Sequence, residues 1–255
     1  MIQKLITHLV TAGILFPTLA CGITGLEVAQ AVDERITPKD IRTELKMVLT
    51  NKKGKTRTNE MLSLARDDNS KQMIWFLSPK DDEGVAFLKI EHDDKDDEMR
   101  LWLPAFKKVR RISAKAKSES FMGSDLSYED LTSRELDEYD YELKGEEVIN
   151  DNACYILEST PKKDTDTDYS RHVEWITKDT FLPIKGESWD RKGRLLKIRT
   201  IEYQQLSDYH VLNRLFVRDV QSEHSTELLF TRVQVDIGIE PDQFAEKNLK
   251  RLPRN

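Results

Sequence analysis

Residues 71–78 read Lys-Gln-Met-Ile-Trp-Phe-Leu-Ser, with five apolar side chains in a row from Met73 to Leu77. In a strand, alternate side chains point to opposite faces. A strand that is apolar on both faces is covered on both. Gly84–Ile90 reads the same way. Upstream, Leu45, Met47 and Leu49 share one face of Ile41–Thr50, and a turn at Asn51-Lys52-Lys53-Gly54 leads to a strand through Met61, Leu62 and Leu64. Downstream, the acidic run Glu91–Glu98 reads as a solvated turn, after which Met99, Leu101 and Leu103 alternate with Arg100 and Trp102.

The second half repeats the pattern. Strands are expected over Tyr139–Ile149, Ala153–Ser159, Arg171–Thr177, Leu182–Trp189, Arg194–Glu202, His210–Val220 and Thr226–Asp236. Turns at Asn150-Asp151-Asn152, Lys178-Asp179 and Asp190–Gly193 separate them. About eleven or twelve strands at short spacing make a mainly β chain, an antiparallel sheet wrapped into a barrel or sandwich. No strand-helix-strand alternation points to a parallel nucleotide-binding fold. Residues 24–36 carry a helical pattern with Thr24 as N-cap and Pro38 beyond its end. The stretch 104–138 combines a basic strand, a Ser/Lys-rich loop, and a short helical pattern around Tyr128–Leu136. A loop of that length inside a compact domain is usually functional.

The chain has 255 residues, with 46 acids against 40 bases and a net charge of −6. That balance argues against general nucleic-acid binding, which needs a basic surface. No apolar run after residue 30 approaches the roughly 18–20 residues that span a bilayer. Residues 1–20 have the layout of an export signal: Lys4, an apolar stretch from Leu5 to Phe16, then Pro17 and small residues. Residues 21–255 are then a single mature domain. Leu19-Ala20-Cys21-Gly22 is similar to a bacterial lipobox, although Thr18 stands where an aliphatic residue is usual, so Cys21 is a candidate lipidation site. Cys154 lies in an apolar strand and reads as a buried, inert thiol.

Catalytic patterns are missing. His92, His172, His210 and His224 are not spaced as metal ligands, and there is no nucleophile elbow, Walker loop or dinucleotide fingerprint. The acidic run at 91–98 lacks the glycine of a calcium loop. Neither Ser124-Asp125 nor Tyr128-Glu129-Asp130 comes with an identifiable nucleophile and base. The expectation is a binding protein without enzymatic activity, metal or cofactor.

Several segments resemble a known family. They are Thr24-Gly25 through Val32-Asp33-Glu34-Arg35, Leu77-Ser78-Pro79 with Gly84–Leu88, and Leu101-Trp102-Leu103-Pro104-Ala105. The most specific is Val109-Arg110-Arg111-Ile112-Ser113 followed by Ser120-Phe121-Met122-Gly123-Ser124-Asp125-Leu126-Ser127-Tyr128-Glu129-Asp130-Leu131. Tyr169-Ser170, Trp175, Leu182-Pro183 and Gly193–Lys197 continue it. Together they resemble the LolA-like family of periplasmic outer-membrane lipoprotein-sorting proteins, in the branch found with RND-type exporters. The resemblance implies a strongly curved antiparallel sheet, a half-open barrel, with a helix or loop plug on its concave face. It further implies an apolar hollow for acyl chains of a lipid or lipoprotein. Candidate lining residues are Trp75, Leu77, Phe87, Leu101 and Leu103, with Phe121 and Met122 on the plug. Gly123 is expected to supply an unusual backbone conformation, and Ser124, Asp125, Tyr128, Glu129 and Asp130 complete the plug motif. The basic cluster Lys107, Lys108, Arg110 and Arg111 is a candidate contact for anionic head groups or an acidic partner, or else pairs with Asp125, Glu129 and Asp130. A tether at Cys21 would favour an acceptor or exporter subunit over a free shuttle. The competing reading is an envelope-stress sensor or interaction module of the same fold.

Overall fold

The computed structural model describes residues 22–92 and 95–252. The expected export signal at residues 1–20 and the candidate lipidation site Cys21 lie outside them. Among the described residues one α-helix, α1 (Gly25–Asp33), precedes thirteen strands. These are β1 (Asp40–Thr50), β2 (Thr56–Arg66), β3 (Lys71–Ser78), β4 (Ala86–Ile90), β5 (Glu98–Leu103) and β6 (Lys108–Ile112) in the first half. After a long crossing segment come β7 (Tyr139–Ile149), β8 (Asn152–Pro161), β9 (Tyr169–Thr177) and β10 (Pro183–Asp190). The last are β11 (Leu195–Leu206), β12 (Tyr209–Asp219) and β13 (His224–Val235).

All thirteen strands form one antiparallel sheet in the order β6-β5-β4-β3-β2-β1-β13-β12-β11-β10-β9-β8-β7. The sheet does not close; β6 and β7 are its two edges. Residues 113–138 connect those edges by running across the inner face. In place of the short helix expected around Tyr128–Leu136 they hold two single 3-10 turns, Glu129–Leu131 and Leu136–Glu138. The polar side chains of this segment are spent on contacts with the sheet, which a regular helix would turn away from it.

Helix α1 starts where a capping box forms. Thr24 accepts from the Glu27 N–H, and Glu27 accepts from the Thr24 N–H at 2.7 Å. Its buried face, Val28 and Ala29, packs with Leu157 and Ile176 on the inner face of β8 and β9. Gly25 permits the approach. A Cβ there would sit 2.9 Å from the Tyr141 carbonyl carbon and oxygen, which are backbone atoms of β7 and cannot turn aside. Gly25→Ala is therefore expected to cost about 1–3 kcal/mol, measurable as a lowered melting temperature.

Strand β3 is apolar on both faces because both are covered. On the inner face Leu45, Met47, Met61, Phe76, Phe87 and Leu101 pack with Phe121, Leu126 and Tyr128 of the crossing segment. On the outer face Leu62, Leu64, Met73, Trp75 and Leu88 pack with Ile239, Phe244 and Leu249 of the C-terminal segment. Among the described residues, no helix is long and apolar enough to cross a membrane.

Candidate functional site

The crossing segment is a plug, and its shape starts from a tight hairpin. Ser120 and Ser127 bridge, the Phe121 N–H donates to the Leu126 carbonyl at 2.7 Å, and the Ser124 N–H donates to the Phe121 carbonyl at 2.9 Å. The two central residues, Met122 and Gly123, have φ of +51° and +77°. A turn with positive φ at both centres is the one that matches strand twist, and Gly123 accepts it without strain. Phe121 then drops into an aromatic cluster, 5.3 Å from Phe87 and 5.8 Å from Tyr128 between ring centroids, both edge-on. Such pairs contribute about 0.5–1.5 kcal/mol each beyond their burial.

Three acids of the plug tie it to distant strands. Asp125 accepts from the Thr226 hydroxyl at 2.6 Å and meets His224 Nδ1 at 2.8 Å, both on β13. Asp130 receives Lys197 Nζ of β11 at 2.5 Å and the Tyr169 hydroxyl of β9 at 2.9 Å. Burial alone would raise the Asp130 carboxyl, but Lys197 beside it holds it below the usual range. Burial and the Asp130 charge push the Tyr169 phenol strongly up, so it stays a donor. Glu129 accepts from the Thr167 hydroxyl and the Asp168 N–H, and burial raises its carboxyl. Two further bonds come from cations. Arg134 donates to Glu174 at 2.7 Å, a carboxylate shared with Arg199, and the fully buried Lys89 donates to the Leu131 carbonyl at 2.7 Å.

Beside the plug lies a hollow of about 410 Å³. Its walls are the inner faces of β1, β2, β12 and β13, with Leu45, Met47, Met61, Leu215, Leu228 and Phe230 facing Phe121, Leu126 and Leu131. Arg35, Thr37 and Pro38 after α1 and Asp68 and Asn69 of the β2–β3 turn rim it. The volume and the apolar lining fall within the range of ligand pockets, and the two methionines give that lining flexible side chains.

A family model described as an uncharacterized protein matches residues 68–251. A domain from Vibrio parahaemolyticus named for outer membrane lipoprotein sorting is 34% identical, with 89% of this chain and 98% of that chain covered and a TM-score of 0.83. The chain belongs to the outer-membrane lipoprotein-sorting family of that domain. A DUF1329 family protein from Desulfovibrio piger is similar at 33% identity, 88% and 97% coverage and a TM-score of 0.83. A LolA superfamily protein from Nitrosomonas europaea shares the fold at 18% identity, 88% and 99% coverage and a TM-score of 0.70. No curated protein matches the sequence.

In this LolA-like chain the residues expected around the hollow are distributed differently. Phe121 borders it. Met122 sits at the hairpin tip, half-buried against the inner core. Phe87, Leu101 and Leu103 are on the inner face but under the plug, where they pack with Phe121 and Tyr128. Trp75 and Leu77 face outward and pack under the C-terminal segment. The hollow is displaced toward β1 and β13 because the plug already fills the inner face over β3–β6.

In the basic cluster Lys108, Arg110 and Arg111 alternate as strand residues, and Lys107 stands outside the strand. Lys107 is in a left-handed conformation that ends a 3-10 turn, so β6 begins at Lys108. Lys108 and Arg110 share the inner face with Leu103 and Leu101, and Arg111 lies across from Arg100 on the outer face. Arg110 pairs with Glu119 at 2.6 Å, not with Asp125, Glu129 or Asp130, which the β-sheet partners engage. Lys197 and His224 were not marked as partners of the plug by any local pattern. Lys89, the one charge within the apolar run Ala86–Ile90, was the available signal.

His172 is buried against Ser188, with its Nδ1 2.9 Å from the hydroxyl. Burial first, then Arg134, Arg199 and Lys197, push its pKa well below 6.5. The unfolded imidazole takes up a proton near that value while the folded one does not. The stability that neutral His172 supports is therefore complete above about pH 6.5 and is lost as pH falls below it. Urea midpoints should begin to fall between pH 7 and 5 in the native chain, and His172→Asn should flatten that first step.

Proposed function

We propose that this protein is a periplasmic carrier or acceptor that holds acyl chains of a lipid or lipoprotein without reacting with them. The observation that carries the reading is the apolar hollow walled by a plug, in a chain whose 34% identical relative is named for outer membrane lipoprotein sorting. An acyl chain exposed to water costs about 0.8 kcal/mol per methylene. The hollow removes that cost by burial alone, so release needs only movement of the plug. The export signal at residues 1–20 supports action outside the cytoplasm, and a lipidated Cys21 would make the molecule a tethered acceptor, beside an RND-type exporter in the branch it resembles. Lys107, Lys108 and Arg111, next to the exposed Phe106, are the contact toward anionic head groups or the partner.

Native mass spectrometry after mild purification tests this. The expected result is a bound species with the mass of one or more lipids, displaced by a labelled fatty acyl probe. A folded protein that arrives empty and takes up no probe would end the proposal. Intact mass of the mature N-terminus reports whether Cys21 carries lipid.

A further inference from the structure

The apolar hollow stops at Leu126. That side chain borders the hollow on one side and a polar groove of about 1050 Å³ on the other. Asp130 borders the hollow, while Lys197, 2.5 Å away, borders the groove. Leu126 thus borders both spaces, and the Asp130–Lys197 ion pair has one member on each. The groove lies at the end of the sheet opposite the hollow's rim, among the β1–β2, β10–β11 and β12–β13 turns, with the plug hairpin as its floor.

Five acids and six lysines or arginines border the groove, and they differ in how they are paired. Its acids are already engaged: Asp125 by His224, Asp168 by Arg191 and Asp190 by Arg194. Glu129 accepts from Thr167, and Asp219 accepts from the N–H groups of Gln221 and Ser222. Lys52, Lys53 and Lys192 are exposed on its walls without an acidic partner among the described residues. Three ammonium groups without an ionic partner thus meet in one concavity of a chain whose net charge is −6.

We propose that this groove is the head-group site for an anionic amphiphile whose hydrocarbon chain occupies the hollow. The inference rests on the acyl-carrier reading above and names the class of lipid it takes. The negative head group competes with Asp130 for Lys197, and the hairpin 120–127 shifts so that the two spaces join across Leu126. A neutral lipid gains the hollow but nothing from the groove.

The test compares oleoyl lysophosphatidate with oleoylglycerol, which share a chain and differ in head-group charge, by calorimetry on the native protein below micelle-forming concentrations. A variant carrying Lys52→Gln, Lys53→Gln and Lys192→Gln removes charges that hold no part of the fold. The native chain should bind the phosphate lipid more tightly, with an advantage that shrinks as salt rises. The triple variant should lose roughly tenfold in affinity for it and bind oleoylglycerol unchanged. Equal binding of the two lipids, with no effect of the triple variant, overturns the head-group site and leaves the carrier reading standing. Binding of neither lipid overturns both. Glycerol phosphate alone should bind far more weakly; if it matches the lipid, the groove is a free-anion site and the proposal fails.

Discussion

Asp130→Ala is expected to lower folding stability by about 3–5 kcal/mol, read from urea midpoints at pH 7. Its carboxylate and the Lys197 ammonium are 2.5 Å apart, and their side chains are only 6% and 9% exposed. Removing the acid leaves a buried cation whose remaining oxygen partner is the Tyr169 hydroxyl at 2.6 Å. Most of the expected loss is the cost of that uncompensated charge. Lys197→Met in the same chain should therefore recover a large part of it, and a double-mutant cycle measures the coupling. The same pair sets an acid limit. With the Asp130 carboxyl held below 3.8, its contribution is complete above that value and disappears as pH falls through the folded pKa. Glu174 acts in the same direction: burial alone would raise its carboxyl, but Arg134 and Arg199 hold it below 4.5. A midpoint unchanged in Asp130→Ala would mean that the plug is not anchored through this ion pair.

Phe121→Ala should cost about 3–5 kcal/mol, because it empties the space between Phe76, Phe87 and Tyr128. Phe121→Asp asks the functional question. Phe121 is 3% exposed and borders the hollow, so an aspartate there puts a charge against the cargo. Uptake of an acyl probe should fall by about tenfold or more, while the far-ultraviolet spectrum keeps its sheet signature. Unaltered uptake in a folded Phe121→Asp chain would place the cargo away from the plug.

Much of the sheet was readable in the pattern of residues. Lys71–Ser78 and Tyr139–Ile149 form strands with those bounds, and Thr24 caps the helix as its side chain requires. The plug was readable because Phe121-Met122-Gly123 interrupts a polar stretch with aromatic bulk and a glycine that now has φ of +77°. What could not be read was which face of an all-apolar strand is the inner one. Trp75 and Phe76 are equally hydrophobic neighbours, and only the C-terminal segment, from Ile239 to Leu249, settles that Trp75 faces out. The partners of the plug acids were hidden for another reason. His224 is 99 residues from Asp125, and Lys197 is 67 from Asp130. No local periodicity relates residues that meet only after the sheet has curved.

The two free margins of the sheet have a mechanical consequence. A cylinder closed by a continuous ladder has a girth set by its strand number and stagger. Here β6 and β7 never pair with each other, and the chain between them is the same strap that stops the interior. Such a wall can spread without breaking an inter-strand rung, which a closed cylinder cannot do.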